Sequence, residues 1–323
     1  MADGHHFFLL LTAIVQRSTV FVYTYLFYSQ VRNRQHRHFN RFNFLFFCRT
    51  VVCPGYHPGT DDVYNMTARP RGITLIINNA SFAHHPKHGQ QSPRHGSKED
   101  VRQVEALFTA LDFSVRTKEN LSRLQLLDEL YYIAREDHSA YDCFVLWLMS
   151  HGRSGEVFCS DGNTIPIQTL HDMLSECKTL SGKPKLFFIQ ACRGNGEDVG
   201  VKVSPDYDIS CPNQANRSYE STKVDPVIQL RIPTHSDFLY AFSTVDEYVS
   251  YRNENEGTHY VRCFVEAFRE HVAHDHILDI LTVVNHEVSK IDTERPSSKN
   301  RNRTKICKQM PEVRHTLRKK VRF

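Results

Sequence analysis

Two reactive side chains stand directly after two apolar runs. Cys143–Met149 (CFVLWLM) leads into Ser150-His151-Gly152, and Lys185–Gln190 (KLFFIQ) leads into Ala191-Cys192-Arg193-Gly194. A free thiol, with a pKa of about 8.5, is largely protonated at neutral pH. An imidazole beside it can draw off the proton and later hand it to a leaving amine, which is the chemistry of nucleophilic acyl transfer. Gly152 and Gly194 leave room for close backbone approach, and amide N–H groups near the pair can stabilise an oxyanion. Each residue alone has a blander reading, since a Cys after a strand is commonly a small core residue and a His before Gly a turn residue. Cys48 and Cys53 near His57 make only a weak zinc pattern, with no second matching pair, so no metal site is expected.

The elements that must position this pair are legible as an alternation. Gly72–Asn79 is a short, apolar, β-branched run, which predicts a buried strand. Ser97-Lys-Glu-Asp100 has the pattern of an N-terminal capping box, with Val101, Val104, Leu107, Phe108 and Leu111 on one helical face behind it. A short strand at Ser114–Arg116 and a helix over Leu121–Ala134 follow. Cys143–Met149 then suits a strand buried on both faces. A helix at Ile167–Leu174, a strand at Lys185–Gln190 and a strand at Phe238–Ser243 continue the series. Two helices are marked by Val261, Phe264, Val265, Phe268 and Val272, and by Ile277, Ile280, Leu281, Val284 and Val288. Leu317–Phe323 is expected to close the chain as a strand. Strands alternating with helices predict an α/β fold with a mostly parallel central sheet flanked by helices. Ligands of such sheets bind outside the carboxyl ends of the strands, so His151 and Cys192 should meet there.

Composition narrows the function classes. The chain has 323 residues, 40% hydrophobic and 24% charged, which excludes a fibrous or wholly disordered protein. A net charge of only +4 gives no reason to expect nucleic acid as a partner. Nine cysteines without tight pairing fit free thiols in a reducing, cytoplasmic setting. Residues 1–50 hold nine of the 21 Phe, six Arg, no Lys and one acid, Asp3, so the first 63 residues read as a separate leader, disordered or removed. Neither a spanning segment nor a signal peptide is met cleanly there. Arg32, Arg34, Arg37 and Arg41, interleaved with His and Phe, are an alternative membrane-surface or nucleic-acid patch. From about 195 to 233 a polar stretch containing Pro205, Pro212 and Pro226 reads as a long linker.

The pentapeptide Gln190-Ala191-Cys192-Arg193-Gly194, with His151 lying 41 residues upstream, resembles the signature of the caspases. Further segments match in order: Ser150-His151-Gly152, Gly182-Lys183-Pro184-Lys185, Asp237-Phe238-Leu239-Tyr240-Ala241 and Ser250-Tyr251-Arg252-Asn253. The resemblance covers about 64–323 and implies a three-layer sandwich. It implies Cys192 as nucleophile, His151 as acid and base, and an oxyanion hole from the N–H groups of Gly152 and Cys192. It also implies an aspartate before the scissile bond, held by Arg94, Arg252 and Gln190. Charge-assisted, bidentate guanidinium contacts are what a desolvated carboxylate needs. Val249, Ser250, Tyr251, Asn253 and His259 would border the upstream subsites. Val249, Tyr251 and His259 depart from the aromatic executioner pattern, and His259 can meet a carboxylate when protonated or an apolar group when neutral.

The same resemblance implies a zymogen cut into a large subunit (about 64–208) and a small one (about 226–323), at Asp208 first and Asp206 second. Asp225 is disfavoured by Pro226, and Asp198 also lies in the linker. It implies a homodimer through the final strand, a short-leader executioner type, an upstream initiator caspase and inhibitor-of-apoptosis proteins as partners, and no cofactor. Two rivals remain at this point: a catalytically silent homologue acting as a regulatory partner, and a clan relative of different specificity.

Overall fold

In a computed structural model of the chain, the described residues are 62–200, 232–253, 256–296 and 304–323, together with the backbone of two short strands nearer the N-terminus. The chain divides into two units, 1–61 and 62–323. In the first, Tyr25–Phe27 pairs antiparallel with Leu45–Phe47. The rest of the leader and its arginine-rich stretch lie outside the described residues, as do Asp206, Asp208 and Asp225.

The second unit is built on six strands: β1 (Gly72–Asn78), β2 (Ser114–Glu119), β3 (Cys143–Met149), β4 (Lys185–Gln190), β5 (Phe238–Phe242) and β6 (Glu312–His315). Their order across the sheet is β6-β5-β4-β3-β1-β2. All neighbours run parallel except β6, which pairs antiparallel with β5. Every residue of β1, β3 and β4 is buried, because helices cover both faces of the sheet.

The pleat sends alternate side chains to opposite cores. Ile76, Val145, Trp147, Leu186 and Phe188 pack with α1 (Ser97–Ala110), α4 (His259–His271) and α5 (Ile277–Lys290). Ile77, Leu146, Leu148, Phe187 and Ile189 pack with α2 (Arg123–Arg135) and α3 (Ile167–Ser175). The result is a helix–sheet–helix sandwich in which β3 and β4 are central.

The helices begin and end close to where periodicity put them, with two instructive corrections. The capping box at Ser97–Asp100 does not form: Gly96 is the N-cap, in the left-handed region at φ 81°, and makes no side-chain cap. Both Ser97 and Asp100 are buried instead. A capping box does form on α2, where Ser122 Oγ accepts from the Gln125 N–H and the Gln125 side chain reaches back to the Ser122 N–H.

The second correction is at the C-terminus. Leu317–Phe323 is not a strand; the edge strand is Glu312–His315, and only an isolated bridge joins Lys320 to Val63. Arg318 explains the difference, since its guanidinium is committed to Asp237 at 2.8 and 2.9 Å and its N–H donates to Tyr64 Oη. Two short hairpins were not expected from periodicity: Arg252–Asn253 with Gly257–Thr258, and Thr293–Pro296 with Thr304–Cys307. The start of the expected linker is also tied down, by bridges from Gly196 to Tyr248 and from Asp198 to Lys308.

Candidate active site

Met149 and Gln190 are register partners at the carboxyl ends of β3 and β4, so the chains leaving them start side by side. The Ser150 N–H continues the pairing by donating to the Gln190 carbonyl at 3.1 Å. On the β3 side, a three-stranded sheet (Gly152–Arg153, Glu156–Phe158, Thr164–Pro166) turns the chain back and supports His151. The Phe158 N–H donates to the His151 carbonyl at 2.9 Å, and Ser150 Oγ donates to the Phe158 carbonyl at 2.6 Å.

The His151 ring lies 5.1 Å from the Phe82 ring and is fixed by Nε2, 2.8 Å from the Ser92 carbonyl oxygen. A carbonyl only accepts, so Nε2 carries the proton and Nδ1 is left as the basic nitrogen. Burial, aided by the positive charges of Arg94 and Arg252, lowers the imidazole pKa below its ordinary value, against the opposing effect of the Ser92 bond. The imidazole is therefore neutral near pH 7, as a general base requires.

On the β4 side, Cys192 is partly exposed, and its Sγ accepts the Ser250 N–H at 3.4 Å. The segment is held by reciprocal backbone bonds, from the Arg193 N–H to the Tyr248 carbonyl and from the Glu247 N–H to the Arg193 carbonyl. The Arg193 side chain turns away from the thiol to Glu312 and the Thr244 carbonyl, over the Phe242 ring. Gly152 is demanded sterically. A Cβ there would lie 2.5 Å from the Cys192 carbonyl oxygen and 3.0 Å from the Glu156 oxygen.

Beside the pair is a cleft of about 410 Å³, lined by Arg94, His151, Gln190, Cys192, Val249, Ser250, Tyr251 and Arg252, among others. Arg94 is 3% exposed, and its Nη1 donates to Asn78 Oδ1 at 2.9 Å and to the Asn79 carbonyl at 3.1 Å. Burial and the neighbouring Arg252 bring its pKa down to about 10, so it stays charged at neutral pH. Gln190 Nε2 donates to Ser250 Oγ at 2.9 Å, and its Oε1 makes no hydrogen bond. The Tyr251 N–H donates to Gln309 Oε1 at 2.7 Å.

Three of the sequence-derived residues lie off the cleft wall. Gly152 is not among the lining residues and packs against the Cys192 and Glu156 backbone. Asn253 is exposed and accepts the Glu256 N–H at 3.4 Å. His259 is the first residue of α4, with Nε2 3.2 Å from Thr293 Oγ1. Burial and Arg262 lower its pKa, which favours the neutral ring. The cleft is completed by residues that the sequence did not single out: Ser92, Thr258 and the hairpin residues Thr293, Glu294 and Arg295. Behind it stands Asp100, also missed, because its position in an apparent capping box gave it a local explanation. Among the described residues no cluster of side chains is arranged to hold a metal ion, and no helix is long and apolar enough to cross a membrane.

Residues 71–322 match the caspase domain. Caspase-8 of Rattus norvegicus is 34% identical over 82% of this chain and 53% of its own length. Caspase-7 of Gallus gallus is 36% identical over 80% of this chain and 79% of its own. Caspase-3 of Oryctolagus cuniculus is 33% identical over 71% of this chain and 76% of its own. The match thus spans about half the length of the caspase-8 relative but most of the other two. With this sandwich and the match extending over most of its length, the chain belongs to the caspase family.

Proposed function

We propose that this protein is a cysteine endopeptidase that cleaves protein substrates after aspartate, with a role in apoptosis. The observation that carries this reading is the meeting of three things at two adjacent strand ends: a partly exposed thiol, an imidazole whose Nε2 is bonded to a carbonyl so that Nδ1 is the basic nitrogen, and a cleft that includes the guanidiniums of Arg94 and Arg252. The substrate aspartate enters between Arg94, Arg252 and Gln190, whose unpaired Oε1 leaves the amide able to adjust to its guest. His151 Nδ1 takes the thiol proton as Sγ attacks the carbonyl carbon. The resulting oxyanion is met by the N–H groups of Gly152 and Cys192. Collapse breaks the C–N bond, and His151 returns the proton to the leaving amine. Water, deprotonated by the same imidazole, then adds to the thioester and releases the acid and the free thiol.

The reading includes synthesis as a zymogen cut at Asp208 or Asp206, a homodimer of processed protomers meeting at the edge strand β6, and an executioner role under an initiator caspase and inhibitor-of-apoptosis proteins. The six described cysteines are all free, which supports a reducing, cytoplasmic setting. The test is hydrolysis by the full-length, processed chain of fluorogenic tetrapeptides ending in Asp, Asn or Arg, beside its Cys192→Ala variant. Cleavage after Asp alone, lost in the variant, is expected. A folded, cut protein that cleaves none of them would point to the silent regulatory homologue, and cleavage after Arg to a different specificity.

A further inference from the structure

Asp100 is 1% exposed and lies in the first turn of α1. Its Oδ1 accepts two bonds from Thr258, from the N–H at 2.7 Å and from Oγ1 at 3.1 Å. Thr258 is the residue opposite Arg252 in the short hairpin. It is also the N-cap of α4, where its Oγ1 accepts the Val261 N–H at 3.3 Å. The approach is possible only because Gly257, at φ 83°, has no Cβ; one placed there would lie 2.4 Å from Asp100 Oδ1. The other carboxylate oxygen, Oδ2, is buried and makes no hydrogen bond. The charged groups acting on the carboxylate are Arg94, from the loop before α1, and Arg252, from the hairpin.

A buried carboxylate with half of its bonding capacity unused is costly unless a nearby positive charge compensates it. Arg94 and Arg252, two of the three guanidiniums that line the cleft among the described residues, repel each other, as the effect of Arg252 on Arg94 records. The Asp100 carboxylate, joined to the cleft wall through Thr258, offsets part of the positive charge of Arg94 and Arg252. We propose that Asp100 is a positioning residue of the aspartate pocket, fixing the Arg252 hairpin through Thr258 and offsetting part of the charge of Arg94 and Arg252. This rests on the cleft being an aspartate pocket, as set out above. The positional effect outweighs the gain in attraction on losing a negative charge, because bidentate recognition requires both guanidiniums in fixed places.

The test is equilibrium binding of fluorescein-labelled tetrapeptides ending in Asp or Asn to the full-length Cys192→Ala protein, where no turnover intervenes, with and without Asp100→Asn. The amide keeps the size and one acceptor but removes the charge. The expected result is an Asp-over-Asn preference reduced about tenfold in Asp100→Asn, with an unchanged circular-dichroism spectrum. A second measurement leaves Asp100 in place. Burial raises its pKa to about 6, so protonation below that pH removes the same charge. Affinity for the Asp peptide should fall about tenfold between pH 7.5 and 5, with its midpoint near that value, while the peptide carboxylate, of pKa about 3.9, remains ionised. The Asn peptide should show no such step. His151 lines the same cleft and has a pKa below its ordinary value, but its protonation adds positive charge and would raise affinity for the Asp peptide, so a fall is assigned to Asp100 even if Asp100→Asn does not fold. An Asp affinity that is constant or rises over this range, or a folded Asp100→Asn protein with unchanged preference, overturns the inference. A parent protein with no preference for Asp over Asn overturns the reading of the cleft itself.

Discussion

The two walls of the cleft are made in different ways. His151 and Cys192 extend from β3 and β4, central strands buried along their whole length between two helical layers. Arg252, Thr293, Glu294 and Arg295 come from two-stranded hairpins, and in the second of these most residues are exposed. His151, Cys192, Gln190 and the buried Arg94 are thus fixed by the core of the protein, whereas Arg252, Thr293, Glu294 and Arg295 sit on short ribbons. One wall is inseparable from folding, and the outer wall depends on it much less.

The sharpest way to break that contrast is to damage the core beneath β3 and β4. Trp147, the only tryptophan, is fully buried and stacks on Phe188 at 4.8 Å with Phe264 edge-on at 4.9 Å. Trp147→Ala is expected to cost about 3–5 kcal/mol of stability, read from urea unfolding by far-ultraviolet circular dichroism. A loss below about 1 kcal/mol would mean that the sheet does not carry the site as argued.

Gly152→Ala comes next. The added methyl meets the Cys192 carbonyl and so forces apart the two strand-end segments. A fall in kcat of about 100-fold or more is expected, comparable to losing one oxyanion donor, with KM for an Asp-ending substrate within about threefold. A rise in KM alone would place the damage in the outer wall. Arg252→Lys tests that wall directly. It keeps the charge but loses the planar fork, so kcat/KM for Asp-ending peptides should fall about 10- to 100-fold while unfolding stability is unchanged. Equal activity would show that a point charge suffices.

The same contrast explains what could be read from the sequence. The placement of His151 and Cys192 at adjacent strand ends was legible because continuous apolar runs identify buried strands, while their proposed roles came from the resemblance carried by residues 190–194. The mostly parallel, helix-flanked sheet followed from the alternation of periods, and the three-layer sandwich from the resemblance. The hairpins were not legible, since Thr293–Pro296 and Thr304–Cys307 are polar and carry no period-2 signal. Asp100 was misread because a local capping pattern competed with a tertiary partner 158 residues away, and the tertiary partner won. The final strand was misplaced because Leu317 and Val321 are apolar for packing reasons, as part of the core beside α1, α4 and α5, while three of the four pairing residues Glu312–His315 are polar.

The smallest expected effect lies at the edge of the outer wall. Arg295 is exposed, lines the cleft and stands 5.6 Å from the Tyr251 ring centroid. Its cross-strand partner Lys305 is already paired with Glu197 at 2.5 Å. Lys305 therefore has an acid of its own, whereas the Arg295 guanidinium is oriented by an aromatic face and can still receive a substrate carboxylate. Glu294 on the same strand offsets part of that attraction, and solvent screens the rest. Arg295→Ala should then reduce the preference for an acidic over an apolar residue upstream in the peptide by only about threefold, under 1 kcal/mol, and the difference should vanish near 0.5 M salt. Stability should stay within about 0.5 kcal/mol of the parent. A salt-independent loss of tenfold or more would mean that Arg295 is held as firmly as Arg94, and the two walls would then differ in exposure but not in rigidity.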